Sequence, residues 1–150
     1  IAMNAAMQLA LASPAMDPQR ANGWDWRTAE LPALNGHGSA QGIARIYAAM
    51  LAPDGPCSPA TLARMTSIAV DRSDLVLGFN PKWGMGVAHN TSGIFGPDPA
   101  TFGHSGWGGS FGCANTRSGV SIGYACNHMG PDLVGDPRAT QLCRTIFACA

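Results

Sequence analysis

The chain is predicted to fold as an α+β protein, with helices first, then several antiparallel strands, and one last helix that covers the sheet. Three observations predict this. Apolar residues recur at helical spacing in Ala40–Leu51, glycine punctuates short β-rich runs from Trp83 onward, and a second helical stripe follows Asp136.

The opening stretch from Ile1 to Ala12 is apolar but interrupted by Asn4 and Gln8, which makes it too short to span a bilayer. It lacks a basic n-region, so it does not read as a signal peptide, and this favours a cytoplasmic compartment over export. The chain begins on Ile1 within a helical pattern with no preceding cap, and the expectation is that a segment upstream is missing. Asp17 to Gly38, rich in Asn, Gly and Pro, reads as loop.

Ser39 suits an N-cap for the helix that carries Ala40, Ile43, Ala44, Tyr47, Met50 and Leu51, and that helix must end before Pro53. Ser58 followed by Pro59 supplies a cap and a first-turn proline for another helix, with Leu62, Met65 and Ala69 on one face. Residues 1–75 are therefore assigned to a mainly helical portion, and residues 76–150 to a sheet and its covering helix within the same larger domain.

The runs WGMGVAH, TFGHSGW, SFGCAN and VSIGYACN read as strands. Asn115 to Gly119 has turn chemistry, so Phe111 to Ala114 and Val120 to Asn127 are predicted to form a hairpin beside Thr101 to Trp107. Asp136 and Pro137 start the last helix, whose buried stripe is Ala139, Leu142, Cys143, Ile146 and Phe147.

Composition limits the function. The 46% hydrophobic content supports a core, and nine basic residues balance nine acidic ones, so no broad field draws nucleic acid or an anionic membrane. Small neutral molecules are the favoured partners. Five cysteines without a C-x-x-C pair read as small buried hydrophobes, not as a zinc site or a disulfide framework. Met3, Met7, Met50 and Met65 read as gap-filling core.

The informative segment is Gly103–Gly112, GHSGWGGSFG, where five glycines surround a histidine, two serines and a tryptophan. Such density means that something approaches the backbone closely, whether a ligand, a neighbouring helix or a bulge. Gly108–Gly112 matches the G-x-S-x-G elbow, but a strand and not a helix follows Ser110, and no Asp lies between Ser110 and His128. His104 with His37, His89 or His128 offers no recognised metal spacing, and neither metal nor cofactor is expected. In the remaining reading His104, Ser105 and Gly106 lie on an edge strand whose backbone lines a substrate, and the N–H of Trp107 points at a developing oxyanion.

Outside this segment, Trp24, Asp25 and Trp26 could line a cleft, although a hydrophobic plug is the better reading. His37 in NGHG is read as a capping or loop-packing residue.

The order NGHGSA, IARIYAAM, SPATLARM, PKWGMGV, FGHSGWGGSFGCAN, VSIGYACNHM and DPRA resembles the C-terminal half of β-lactamase-related serine esterases, relatives of class C β-lactamases and D-Ala-D-Ala carboxypeptidases. The resemblance runs from Asn35 to Phe147. It implies part of a helical subdomain beside the sheet, and chemistry through a serine acyl-enzyme. His104, Ser105 and Gly106 match the position of the family's third motif, commonly Lys-Thr-Gly, in its His-x-Gly form. The resemblance thus implies a backbone oxyanion donor at Trp107, a catalytic contact at His104, and substrate binding by Ser105, Gly106 and Gly108.

The family's Ser-x-x-Lys does not occur here, since Lys82 is the lone lysine and Phe79 stands three residues before it. Neither Tyr47 nor Tyr124 heads a Tyr-x-Asn or Tyr-x-Ser motif. The nucleophile and base are therefore expected from a missing N-terminal segment or a companion chain, and the isolated chain is expected to be inactive. An imidazole in place of lysine removes a permanent cation, which favours small neutral esters over penicillins or peptide C-termini. Two alternatives remain: an inactive binding or scaffold protein of the same fold, and a β-lactamase or D-Ala peptidase acting on an amide.

Overall fold

The computed structural model describes residues 4–13 and 17–150, which form two compact units, Ile1–Gly38 with Ser73–Asn80 and Ser39–Arg72 with Pro81–Ala150. Met3 lies outside the described residues. No helix among the described residues is long and apolar enough to cross a membrane.

In the first unit α1 spans Ala5–Ala10, and the Asn4 side chain caps it by accepting from the Met7 N–H at 2.8 Å. Contrary to the expectation of an uncapped helix, Asn4 is its cap and not an interruption within it. Met7 is buried, and Asn4 Nδ2 donates to the Leu75 carbonyl, which ties 73–80 to this unit. The stretch read as loop after Asp17 holds a 3-10 turn, Pro18–Asn22, and helix α2, Trp24–Thr28. Asp17 caps the turn, and Pro18 presets its first residue. The plug reading holds for Trp26, which is buried with the Arg20 guanidinium 5.9 Å above its ring, and fails for Trp24, which is exposed.

The second unit is built on a six-stranded antiparallel sheet in the order β1 (Val70–Asp71), β2 (Lys82–Trp83), β3 (Ala88–His89), β4 (Thr101–Ser105), β5 (Phe111–Asn115) and β6 (Ser121–Tyr124). The run WGMGVAH, expected as one strand, is a hairpin: the Gly84 N–H donates to the Val87 carbonyl, and Gly86 has a φ of +79°. β1 escapes the sequence reading because two exposed residues carry no alternation. The predicted β5–β6 hairpin is present, and its turn is set by Asn115, whose Oδ1 accepts from the N–H groups of Arg117 and Ser118, each at 2.8 Å.

Helices α3 (Ala40–Leu51), α4 (Pro59–Met65) and α5 (Pro137–Cys149) start where their caps predict, on Ser39, Ser58 and Asp136. α4 stops before Ala69, which is exposed and off the helix.

Side chains alternate across the sheet, so β5 and β6 are covered on both faces. Phe111, Cys113 and Ile122 pack with Ala139 and Cys143 of α5, joined by Ile146 and Phe147. Phe102, Ala114 and Val87 pack on the other face against Tyr47, Met50 and Leu51 of α3 and Leu62 and Met65 of α4. Burying a side chain the size of Phe111 or Phe102 contributes about 1.5–3 kcal/mol. Leu142, expected in the α5 stripe, is half exposed, since it sits one position off the line through Ala139, Cys143 and Ile146.

Glycine lets α3 approach the sheet. A Cβ on Gly112 would enter the Tyr47 ring and the Ile43 side chain, and one on Gly123 would strike the α3 backbone at Ala40 and Ala44. The cysteine reading holds for Cys113 and Cys143, which are buried with sulfurs 3.9 Å apart, and fails for Cys149, which is exposed at the end of α5.

Candidate functional site

The sheet delivers β4 to a turn that joins it to β5. The strand expected to reach Trp107 stops at Ser105, because the Gly106 N–H donates to the Ser110 carbonyl at 2.7 Å and closes the hairpin. Gly108 and Gly109 take φ values of +90° and +119°, conformations that only glycine adopts without strain.

β4 is not an edge strand along its length. β3 pairs with it at Phe102 and Gly103, and β5 pairs with it from Thr101 to Ser105. At His104 and Ser105 only β5 is bridged, because β3 has already turned back at Val87 toward Gly84. The edge expected from sequence is thus local to the residues of the HSG segment.

The glycines of this segment admit protein neighbours. Gly103 accommodates Cys113 and the Gly112 carbonyl, Gly108 accommodates Met129, Gly109 accommodates the Asp136 carboxylate, and Gly112 accommodates Tyr47. The close-packing reading therefore accounts for those four, whereas Gly106 is exposed and its nearest obstruction is the Ser110 carbonyl at 3.5 Å.

Backbone donors in the turn are mostly committed. The Gly108 N–H donates to the Asp132 carbonyl at 3.1 Å, and the Gly109 N–H donates to the Gly106 carbonyl at 3.3 Å. The Trp107 N–H has no hydrogen-bond partner among the described residues. It and the Ser110 N–H, which likewise has no hydrogen-bond partner among the described residues, are the donors of this turn that remain available to another acceptor.

The His104 side chain is exposed and stacks on Trp83 of β2, with ring centroids 5.5 Å apart and planes 30° apart. His104 Nδ1 lies 2.9 Å from the Ser105 carbonyl oxygen, which can only accept. In a neutral imidazole that contact favours the tautomer with the proton on Nδ1, with Nε2 then carrying the lone pair. Behind β4, Tyr47 of α3 is tilted against Phe102 with ring centroids 6.0 Å apart, and burial raises its phenol to about 12. Sequence reasoning placed Tyr47 only in the helix stripe and gave Trp83 no role, because neither spacing shows a contact made through the sheet.

Ser110 is not presented as a nucleophile. Its Oγ accepts from the Cys126 N–H at 3.2 Å and touches Cys126 Sγ at 3.3 Å, and β5 begins at the next residue. No group of three metal-ligating side chains is found among the described residues. His37 is exposed and Ser39 provides the α3 cap, so the capping role expected of His37 is corrected. His89 is half-buried, and its buried Nε2 has no hydrogen-bond partner among the described residues.

Asp136 and Arg138 are the other residues that sequence reading underused. The sequence DPRA predicts a helix start alone. Asp136 does cap α5 through the Arg138 and Ala139 N–H groups, and Arg138 then folds back to donate to the Gly108 carbonyl at 3.2 Å. The ion pair with Arg138, together with these N–H groups, lowers the Asp136 carboxyl to about 2.

A family model described as Beta-lactamase matches residues 3–143. Among solved structures, the chain is similar to a family VIII carboxylesterase at 38% identity and a TM-score of 0.90, covering 96% of this chain and 40% of that one. It is similar to a novel penicillin-binding protein homolog from Caulobacter crescentus at 35% identity and a TM-score of 0.86, covering 99% and 41%. EstA from Arthrobacter nitroguajacolicus Rue61a is similar at 26% identity and a TM-score of 0.62, covering 75% and 32%. The chain thus spans about two fifths of the length of the first two. No curated protein matches it.

Proposed function

Since this chain belongs to the β-lactamase family, we propose that it is the C-terminal part of a serine acyl hydrolase that cleaves small neutral esters. The nucleophilic serine and its lysine belong to polypeptide outside these 150 residues, because Ser-x-x-Lys does not occur among them. The serine oxygen attacks the ester carbonyl, the alcohol leaves, and water releases the acid from the acyl-enzyme.

This chain's contribution is the wall that receives the carbonyl oxygen. The observation that carries the reading is the uncommitted Trp107 N–H, in a turn where the Gly106, Gly108 and Gly109 N–H groups are bonded, next to the open side of β4 at His104 and Ser105. One preorganised donor of this kind is worth several kcal/mol in the transition state. His104 contributes Nε2 as an acceptor toward the substrate or the catalytic hydroxyl, and Ser105, Gly106 and Gly108 form the main-chain rim. The likeness to a family VIII carboxylesterase and the lack of a lysine at His104 support an ester substrate. The likeness to a penicillin-binding protein homolog supports testing an amide beside it.

The test is to assay a chromogenic short-chain ester and a chromogenic β-lactam, first with the chain alone and then with its upstream segment supplied. Ester turnover only in the second condition, exceeding β-lactam turnover, is the expected result. Activity of the chain alone that Ser110→Ala abolishes would overturn the reading.

A further inference from the structure

The Trp107 N–H is fixed by something more distant than its own turn. Its peptide plane also holds the Gly106 carbonyl, and that carbonyl accepts from the Gly109 N–H. The plane of the Gly109 N–H in turn holds the Gly108 carbonyl. That oxygen accepts from the Gly130 N–H at 2.8 Å, from Arg138 Nη2 at 3.2 Å and from Cys126 Sγ at 3.3 Å.

Of these three donors, Gly130 and Cys126 lie in the irregular stretch between β6 and α5, and Arg138 lies in the first turn of α5. Asp136 grips the guanidinium with both oxygens, Oδ1 to Nε at 3.0 Å and Oδ2 to Nη2 at 2.7 Å, and is itself buried. Arg138 Nη1 donates to the His128 carbonyl at 3.0 Å, so one side chain pins two separate backbone segments to the helix. Glycine is required for this grip, since a Cβ at Gly109 or Gly130 would collide with the Asp136 carboxylate.

We propose that Arg138, held by Asp136, is a positioning residue that sets the direction of the Trp107 N–H through the two peptide planes of Gly108 and Gly106. The proposal rests on the acyl hydrolase reading for its catalytic meaning, but the mechanical coupling stands apart from it. Arg138 contacts the Gly108 carbonyl and not the Trp107 N–H. Its effect is on the orientation of a donor, which matters most when charge develops on the bound oxygen.

The experiment compares ¹⁵N-labelled wild-type chain with Arg138→Met and Arg138→Lys. Among the four Arg138 hydrogen bonds that Arg138→Met removes, loss of the one to the Gly108 carbonyl predicts about tenfold faster amide exchange at Gly109, with shifted Gly109 and Trp107 amide resonances. The Arg117 and Ser118 amides, held by Asn115, keep their positions as internal controls. Arg138→Lys, which keeps the cation but not the bidentate grip, is expected to recover part of the effect and guards against a misfolded methionine variant. In the protein with its upstream segment, ester kcat falls about tenfold in Arg138→Met while KM changes little.

Unchanged Trp107 and Gly109 amides in a folded Arg138→Met chain overturn the proposal. Shifted amides in a protein with no ester turnover support the coupling and count against the acyl hydrolase reading alone. Shifted amides with unaltered kcat overturn the catalytic part of the proposal.

Discussion

The His104 imidazole rests on the Trp83 indole at 5.5 Å, although the two residues belong to strands that are separated in the sheet by β3. The contact crosses β3 because β3 is only two residues long and leaves the end of β4 open. Replacing Trp83 by Ala is expected to free the ring and lower ester kcat/KM by about three- to tenfold, the equivalent of an aromatic pair. Trp83→Phe retains most of the activity. Equal activity in all three proteins would show that the stack does nothing for the reaction.

His104→Ala is expected to reduce ester kcat by about tenfold or more, as loss of an acceptor aligned on the reacting groups does. Trp107→Ala, in contrast, raises KM through lost side-chain contact and leaves kcat near its wild-type value, because the donor belongs to the backbone. Steady-state kinetics on the protein with its upstream segment separates the two. Full activity in His104→Ala would show that the third-motif assignment is wrong at that residue.

Ser110→Ala is expected to cost about 1 kcal/mol of stability, since the Cys126 N–H loses its acceptor, and to leave ester turnover intact. Denaturant unfolding gives the first quantity, and the ester assay with the upstream segment gives the second.

Acid tests the Asp136 cap. The folded carboxyl titrates at about 2 against 3.8 for an unconstrained aspartate, chiefly because of Arg138. The folded state therefore binds this proton less readily than the unfolded state, and the cap's stabilisation is present above about pH 4 and lost as pH falls toward 2. Asp136→Asn is expected to lower stability at neutral pH and to flatten the decline between pH 4 and 2. An unchanged acid profile in the variant would remove Asp136 from the account.

Gly123→Ala is expected to destabilise the second unit by about 1–3 kcal/mol, because its Cβ meets rigid α3 backbone. Gly112→Ala meets the Tyr47 ring and the Ile43 side chain, which can shift, so its cost is expected to be the smaller of the two. Thermal unfolding of both variants ranks them. The reverse order would mean that α3 yields more easily than its side chains.

The sequence by itself determined the elements whose signals are local. Ser39, Ser58 and Asp136 cap their helices because a side-chain oxygen within three residues satisfies an N–H that the helix leaves open. Asn115 turns the hairpin for the same short-range reason. The motif order carried the family and the HSG segment. Only the tertiary structure decided what those residues touch: that the glycines of 103–112 mostly admit protein neighbours, that Trp83 lies under His104, and that Arg138 returns to the Gly108 carbonyl. Trp83 and His104 are 21 positions apart, and Gly108 and Arg138 are 30 apart. Caps and turns are bonds between residues that the chain itself makes neighbours, whereas these contacts exist only once strand register and helix packing have closed the intervening chain into loops.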